Sequence, residues 1–329
     1  MRLEPVDRVR LTSLAGDFAT CTERSEGPVR RLGNMFETRR ATAPLGAHGL
    51  AFLVEVGQGR RAAALFDCGL RGDVLRDNVR YLGLDLRRAE AIFLSHGHPD
   101  HYGGLEAALD LVVPGRRRPP VPVVLHEAAF RERCWVWSDR RGGRYRLDRR
   151  VFRSPKARLT PLREPGVFMS GRALFLTDIP RRTRYERKRP GGQVLYREGR
   201  GWRVDTTPDD GALVMHLRGR GLVVLTGCGH AGLINTVREA VARTGVGRVH
   251  ALVGGFHLCH ASSRRIAATI RDLRRYAPRW VIPSHCSGLE FEAALRQAFP
   301  RGFALDSVGT AYDWRTSSPS PVSTPPTGV

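Results

Sequence analysis

Short apolar runs broken by turn residues open the chain. Residues 9–14, 49–56 and 62–66 are rich in β-formers and predict three strands, the last ending at Asp67. Apolar positions over 74–82 recur at helical spacing and predict a helix that leads into a strand over 91–94. A short helix over 104–111 and a strand over 122–125 follow. The second half is more regular, with strands over 174–176, 212–216, 221–225, 248–253 and 280–282 and helices over 233–243 and 266–276. Strands first, then strands alternating with helices, imply sheets covered by helices in one α/β architecture. Residues 131–153 are so rich in arginine and glycine that a surface excursion is expected there. Residues 315–329 are rich in Ser, Thr and Pro and bury little, so one folded domain is expected over 1–314 with a disordered tail over 315–329.

Composition changes this picture in three respects. No apolar run approaches the length of a membrane span, and the first ten residues lack a secretory pattern, so the expected compartment is the cytoplasm. The six cysteines are scattered without a paired pattern and are read as reduced. The formal net charge is +22, which by itself points to a polyanionic partner. Lys156 and Lys188 are the only lysines, however, and the arginines are spread over the whole chain. Aromatic residues are not interleaved with the basic runs at 116–118, 140–150 and 181–189 as a single-strand stacking surface requires. A small anionic substrate, steered by the positive field, fits at least as well as nucleic acid.

The densest chemical signal is FLSHGHPDHYGGL, which puts His96, His98, Asp100 and His101 within six residues, directly after an apolar strand. Imidazoles with one carboxylate suit divalent transition metals, with zinc first and iron or manganese as alternatives. In an extended turn His96 and His98 point one way and Asp100 and His101 reach a neighbouring point, so the loop can serve two ions. Asp67, at the preceding strand end, is placed to fix the second ring nitrogen of a ligating histidine.

The His-x-His-x-Asp-His loop, together with LFDCG at 65–69, resembles the metallo-β-lactamase superfamily. HGLAF at 48–52, LTDIPRRTRYE at 176–186, DDGAL at 209–213, LTGCGHAGLINTV at 225–237, GGFHL at 254–258 and PSHCSG at 283–288 resemble its dihydropterin/ribofuranosylaminobenzene phosphate synthase-like branch, over about residues 9–309. The resemblance implies an αββα sandwich with a catalytic domain over 1–314. It also implies two divalent metal ions held by His96, His98, Asp100, His101, His230 and His285. The chain departs from the superfamily in one respect: its usual bridging aspartate is absent and Cys228 occupies that neighbourhood. A thiolate there would ligate zinc, while a small buried hydrophobe is the plainer reading. Asp209 or Asp210 stands where the superfamily often has its third histidine, so either is a further candidate ligand. His48, His126, His260 and Cys286 are left without a role.

These residues point to metal-dependent hydrolysis of a small anionic ester, phosphoester ahead of thioester or lactone. Asp100 would orient the nucleophile and His257 would donate a proton or bind substrate. Arg181 and Arg182 follow Pro180 in a branch-like segment and are the candidate anion-binding residues. The alternatives are a synthase-like transfer on a pterin- or ribose-phosphate-type substrate, and nucleic-acid processing. The span from His230 to His285 is too short for the inserted domain that superfamily nucleases of the mRNA-cleavage type carry.

Overall fold

The computed structural model describes residues 1–57, 62–115, 119–137, 140–188 and 193–316. Two sheets carry the fold. The first runs, edge to edge, through Val29–Arg31, Thr310–Arg315, Arg8–Ala15, Ala51–Val56, Ala62–Phe66, Ala89–Phe93, Val121–His126 and Ala157–Leu162. The second runs through Gly166–Phe168, Ala173–Leu176, Ala212–Leu217, Gly221–Thr226, Val249–Gly255 and Trp280–Ser284. In each sheet an antiparallel half gives way to a parallel half: Ala62–Phe66 onward in the first, Gly221–Thr226 onward in the second. Parallel pairs need crossovers; α-helices supply them except between Val121–His126 and Ala157–Leu162, whose connection carries two strands and two short 3-10 helices.

Strand alternation explains the layers. Val9, Leu11, Phe52, Val54, Phe66 and Phe93 point inward and meet Phe175, Leu213, Met215, Val223 and Val253 from the second sheet in one buried cluster. The intervening residues Leu53, Leu65, Ile92, Val123 and Leu125 point outward beneath helices Gly72–Leu82 and Leu105–Val112. On the opposite side Leu174, Val214, Val224, Leu252 and Val281 are covered by Leu233–Thr244, Ser263–Arg274 and Leu289–Ala298. The result is an αββα sandwich. Strands buried on both faces need near-continuous apolar runs, and full burial of each such side chain contributes about 1.5–3 kcal/mol. Among the described residues no helix is long and apolar enough to cross a membrane.

The surface excursion expected at 131–153 is mostly exposed, and it is built as paired strands. Arg133–Trp137 and Arg140–Tyr145 form a hairpin that pairs with Gln193–Glu198, itself paired with Gly201–Val204, to make a third, four-stranded sheet. The local composition conceals this because the pairing partner lies about sixty residues downstream, and pairing follows register more than propensity. The expected boundary at 314 also moves, since Arg315 pairs with Arg8 inside the strand Thr310–Arg315. Residues 317–329, the bulk of the expected tail, and the basic run 116–118 lie outside the described residues.

The third sheet is tied to the sandwich by a charge that sequence reading placed on the surface. Arg133 is fully buried; its Nε donates to Asp205 at 2.5 Å and its Nη2 to Asp209 at 2.7 Å. A buried pair that loses one member strands the other charge in a medium that solvates it poorly. Arg133→Met should therefore lower unfolding free energy by about 3–5 kcal/mol, read from denaturant midpoints, whereas the exposed Arg150→Met should stay within about 1 kcal/mol. Equal midpoints for the two variants would rule out a structural role for the Arg133 pair.

Candidate functional site

The donor loop begins where the parallel strand Ala89–Phe93 ends. The neighbouring strand Ala62–Phe66 delivers Asp67, whose backbone turns left-handed at φ 57°. Its Oδ1 accepts from the Ser95 N–H at 2.7 Å, and its Oδ2 lies 2.7 Å from both Ser95 Oγ and His101 Nδ1. Asp67, Ser95 and His101 are fully buried. A carboxylate on Nδ1 places that proton outward and leaves the His101 Nε2 lone pair facing the cavity. Ser95 Oγ also lies 2.8 Å from His96 Nδ1. With its own proton on Asp67 it accepts from His96, which directs His96 Nε2 inward as well.

Three nitrogens converge from there. His96 Nε2 lies 2.9 Å from His98 Nδ1, and His230 Nε2 lies 3.1 Å from the first and 3.2 Å from the second. Three imidazoles on a tetrahedral zinc, each at 2.0–2.1 Å, stand roughly 3.3–3.4 Å apart, so this triangle fits a cation slightly contracted. Burial, with the neighbouring His101 and His98, holds the His96 pKa well below its ordinary value, which keeps that ring neutral. Neutral imidazole is the ligating form.

A second set adjoins the first. Asp100 Oδ2 lies 3.1 Å from His285 Nε2 and 3.8 Å from His101 Nε2. Burial disfavours a charged ring at His101, yet the Asp67 and Asp100 carboxylates raise its pKa. At His285 the same opposition holds, with hydrogen bonds to Asp100 and Asp17 raising the pKa well above normal. Asp17 thus does for His285 what Asp67 does for His101, since its carboxylate sits 3.1 Å from His285 Nδ1. Asp17 also lies 3.1 Å from His48 Nδ1, whose Nε2 is 3.3 Å from Asp100. Those carboxylates lift the His48 pKa to about 9 against a burial effect that lowers it.

The sequence-derived ligands His96, His98, Asp100, His101, His230 and His285 are therefore brought together as two adjoining sets. His230 and His285 come from the ends of the parallel strands Gly221–Thr226 and Trp280–Ser284, opposite the donor loop. Two glycines allow the close approach: a Cβ on Gly227 would collide with Ser95 Oγ, and one on Gly97 with the Ala129 carbonyl and the Arg133 guanidinium. His257 stands beside His230, ring centroids 4.3 Å apart. Trp135 and Tyr145 of the third sheet stack on each other and stand over His98 at 4.8 and 5.7 Å.

Other sequence-derived candidates have different positions. Asp209 accepts from the Gly97 N–H at 2.8 Å with one oxygen and from Arg133 with the other, so it braces the loop instead of joining a donor set. Asp210 accepts from the Ala231 N–H at 2.8 Å, and burial raises its pKa to about 6. Arg181 turns inward, donating to the His230 and Thr206 carbonyls at 2.6 Å. Arg182 pairs with Glu239 on helix Leu233–Thr244 at 3.4 Å. The structure does not bring these two arginines to the donor sets, because Arg181 is occupied by backbone carbonyls and Arg182 follows the outer helix. Asp17, His48, Trp135 and Tyr145 were missed by sequence reading. The position of Asp17 just past a strand end and that of His48 at the head of HGLAF were the available signals.

Comparison with known proteins agrees with this architecture. The sequence profile described as the metallo-beta-lactamase superfamily matches residues 46–232. The chain is 27% identical over 273 residues, 78% of its length and 86% of the relative's, to a 7,8-dihydropterin-6-methyl-4-(beta-D-ribofuranosyl)-aminobenzene-5'-phosphate synthase of Methanocaldococcus jannaschii. An uncharacterized protein of the same organism is 28% identical over 272 residues, covering 80% of this chain and 91% of that one. The crystal structure of Tm1679, a metal-dependent hydrolase of the beta-lactamase superfamily, superposes with a TM-score of 0.68 at 23% identity, covering 94% of this chain and 100% of that one. A profile matching more than half of the chain, on an αββα sandwich with its donor residues at strand ends, places the protein in the metallo-β-lactamase superfamily.

Proposed function

We propose that the protein is a metal-dependent hydrolase of a small anionic ester, with phosphoesters ahead of thioesters and lactones. The observation that carries this reading is the pair of adjoining donor sets, His96–His98–His230 and Asp100–His101–His285. Transition-metal ions held there, two of them and zinc in the first instance, supply Lewis acidity and bring the pKa of a water towards neutrality. The rest of the chemistry belongs to the chain. Asp67 and Asp17 hold His101 and His285 in one tautomer each. Asp100, with an oxygen near both His48 and His285, orients the attacking water. His257, at the rim beside His230, is the candidate donor of a proton to the leaving group.

A second reading, transfer on a pterin- or ribose-phosphate-type substrate, has two supports. The synthase relative is one. The other is the stacked Trp135–Tyr145 pair over His98, a flat apolar surface suited to a planar ring. Hydrolysis releases both products in water alone, whereas transfer needs a second organic substrate, so product analysis separates them. Nucleic acid ranks below both as a partner because many of the arginines already pair with neighbouring carboxylates, as Arg87 does with Asp85 and Arg218 with Asp7. The cytoplasm is the proposed compartment.

The test is metal analysis of purified protein coupled to a screen of phosphoesters, thioesters and lactones. Two transition-metal ions per chain and turnover of at least one anionic ester are expected, with His98→Ala losing metal, activity and thermal stability together. Full occupancy and undiminished turnover in His98→Ala would defeat the reading, and tight, steeply salt-dependent RNA binding would promote the nucleic-acid alternative.

Asp67→Asn should keep the fold while weakening metal affinity by roughly 10–100 fold in a chelator competition, since an amide no longer enforces the His101 tautomer. Unchanged affinity would reduce Asp67 to a turn residue. Arg181→Ala separates positioning from substrate binding: it should weaken metal binding through His230 and leave KM for an anionic ester near the wild-type value. A raised KM at unchanged metal affinity would restore Arg181 as an anion-binding residue.

A further inference from the structure

Cys228 lies two residues beyond the strand Gly221–Thr226 and is 3% exposed. A cysteine that serves only as packing turns its sulfur towards apolar neighbours. Here Sγ lies 3.1 Å from His101 Nε2, and the ligating atoms of His96, His101 and Cys228 fall within 4.8 Å of one another. His96 belongs to the three-histidine set and His101 to the set with Asp100. Both rings are oriented from behind, His101 by Asp67 and His96 by Ser95, so that each turns a nitrogen towards the cavity. Among the described residues no carboxylate groups with donors of both sets in this way. Asp209 is committed to Gly97 and Arg133, and Asp210 accepts from Ala231.

We infer that Cys228 is a metal ligand shared by the two donor sets, its sulfur standing between His96 and His101. The inference rests on the metal-site reading above and adds a soft donor to it. Coordination replaces the thiol proton, which leaves to solvent, and a thiolate favours zinc, iron(II) or cobalt(II) over magnesium or manganese. Cys286 is the competing thiol. Its Sγ contacts the Cys228 carbonyl at 3.5 Å and groups with Cys228 and His257, but with no residue of the two histidine sets.

The test loads the full-length protein anaerobically with cobalt(II) in the presence of a phosphine reductant, then reads metal stoichiometry and absorption together. The wild type should show a near-ultraviolet sulfur-to-cobalt charge-transfer band. Cys228→Ala and Cys228→Asp should lose that band and Cys286→Ala should keep it. Cys228→Asp should hold as much cobalt as the wild type, because its carboxylate can take the shared position, and Cys228→Ala should hold less. Wild-type protein loaded with cobalt but lacking the band, or a band that survives Cys228→Ala and disappears in Cys286→Ala, overturns the inference and leaves the metal site standing. Absence of any bound cobalt overturns the metal site and the inference with it. Should Cys228→Ala fail to fold by circular dichroism, the wild-type and Cys286→Ala spectra still decide.

Discussion

The site depends on one buried carboxylate. Asp67 accepts from the Ser95 N–H, meets the Ser95 hydroxyl and meets His101 Nδ1, all at 2.7 Å, with no exposure to water. A carboxylate buried in such a place is tolerable only because its oxygens are met by donors. Through Ser95 the same group sets the ring of His96, and through His101 it sets the second donor set. A single side chain at the end of one strand therefore orients a nitrogen in each half of the site. The same hydroxyl lies where Gly227 brings the other sheet's loop to it, so the packing that joins the sheets also fixes the distance between their ligands.

That arrangement follows from where parallel strands end. Ala62–Phe66, Ala89–Phe93, Gly221–Thr226, Val249–Gly255 and Trp280–Ser284 terminate at one edge of the sandwich, and their next residues carry Asp67, the donor loop, Cys228, His230, His257 and His285. Strand ends are rigidly placed while the loops beyond them are free of sheet pairing, which is why α/β folds put chemistry there. The left-handed backbone at Asp67, His257 and His285 marks the turn each chain segment makes on leaving the sheet.

Much of this was readable from sequence because the signals are local. Apolar runs ending in polar, ligand-bearing turns gave the strands, and His96 to His101 gave the loop. What escaped depended on contacts between distant segments. The strands Arg133–Trp137 and Arg140–Tyr145 read as an arginine-rich surface excursion until Gln193–Glu198 pairs with the first of them, and Arg133 reads as a surface charge until Asp205 and Asp209 arrive from more than seventy residues away. Asp17 is a single polar residue, and His48 opens a branch-like motif without a role of its own; only the fold brings them to His285 and Asp100. Arg181 shows the opposite limit: a basic run suggests anion binding, whereas in the fold its guanidinium donates to the His230 and Thr206 carbonyls.

The charge balance resolves an apparent conflict between a chain of formal charge +22 and clustered donor residues of a kind that could hold a metal ion. Around the donor sets the charge is inverted. Asp17, Asp67, Asp100, Asp205, Asp209 and Asp210 gather at or behind the ligands, against Arg133 and Arg181, whose guanidiniums bind carboxylates and carbonyls in the same region. Exposed arginines more than about 8–10 Å away are screened by salt, whereas carboxylates a few ångströms away, most of them buried, are screened much less. The local field therefore favours cation binding while the wider surface remains positive. On the proposed reading, an anionic ester is drawn from a distance by the positive surface and reaches the donor sets only at the strand ends, so the two opposite fields act in sequence.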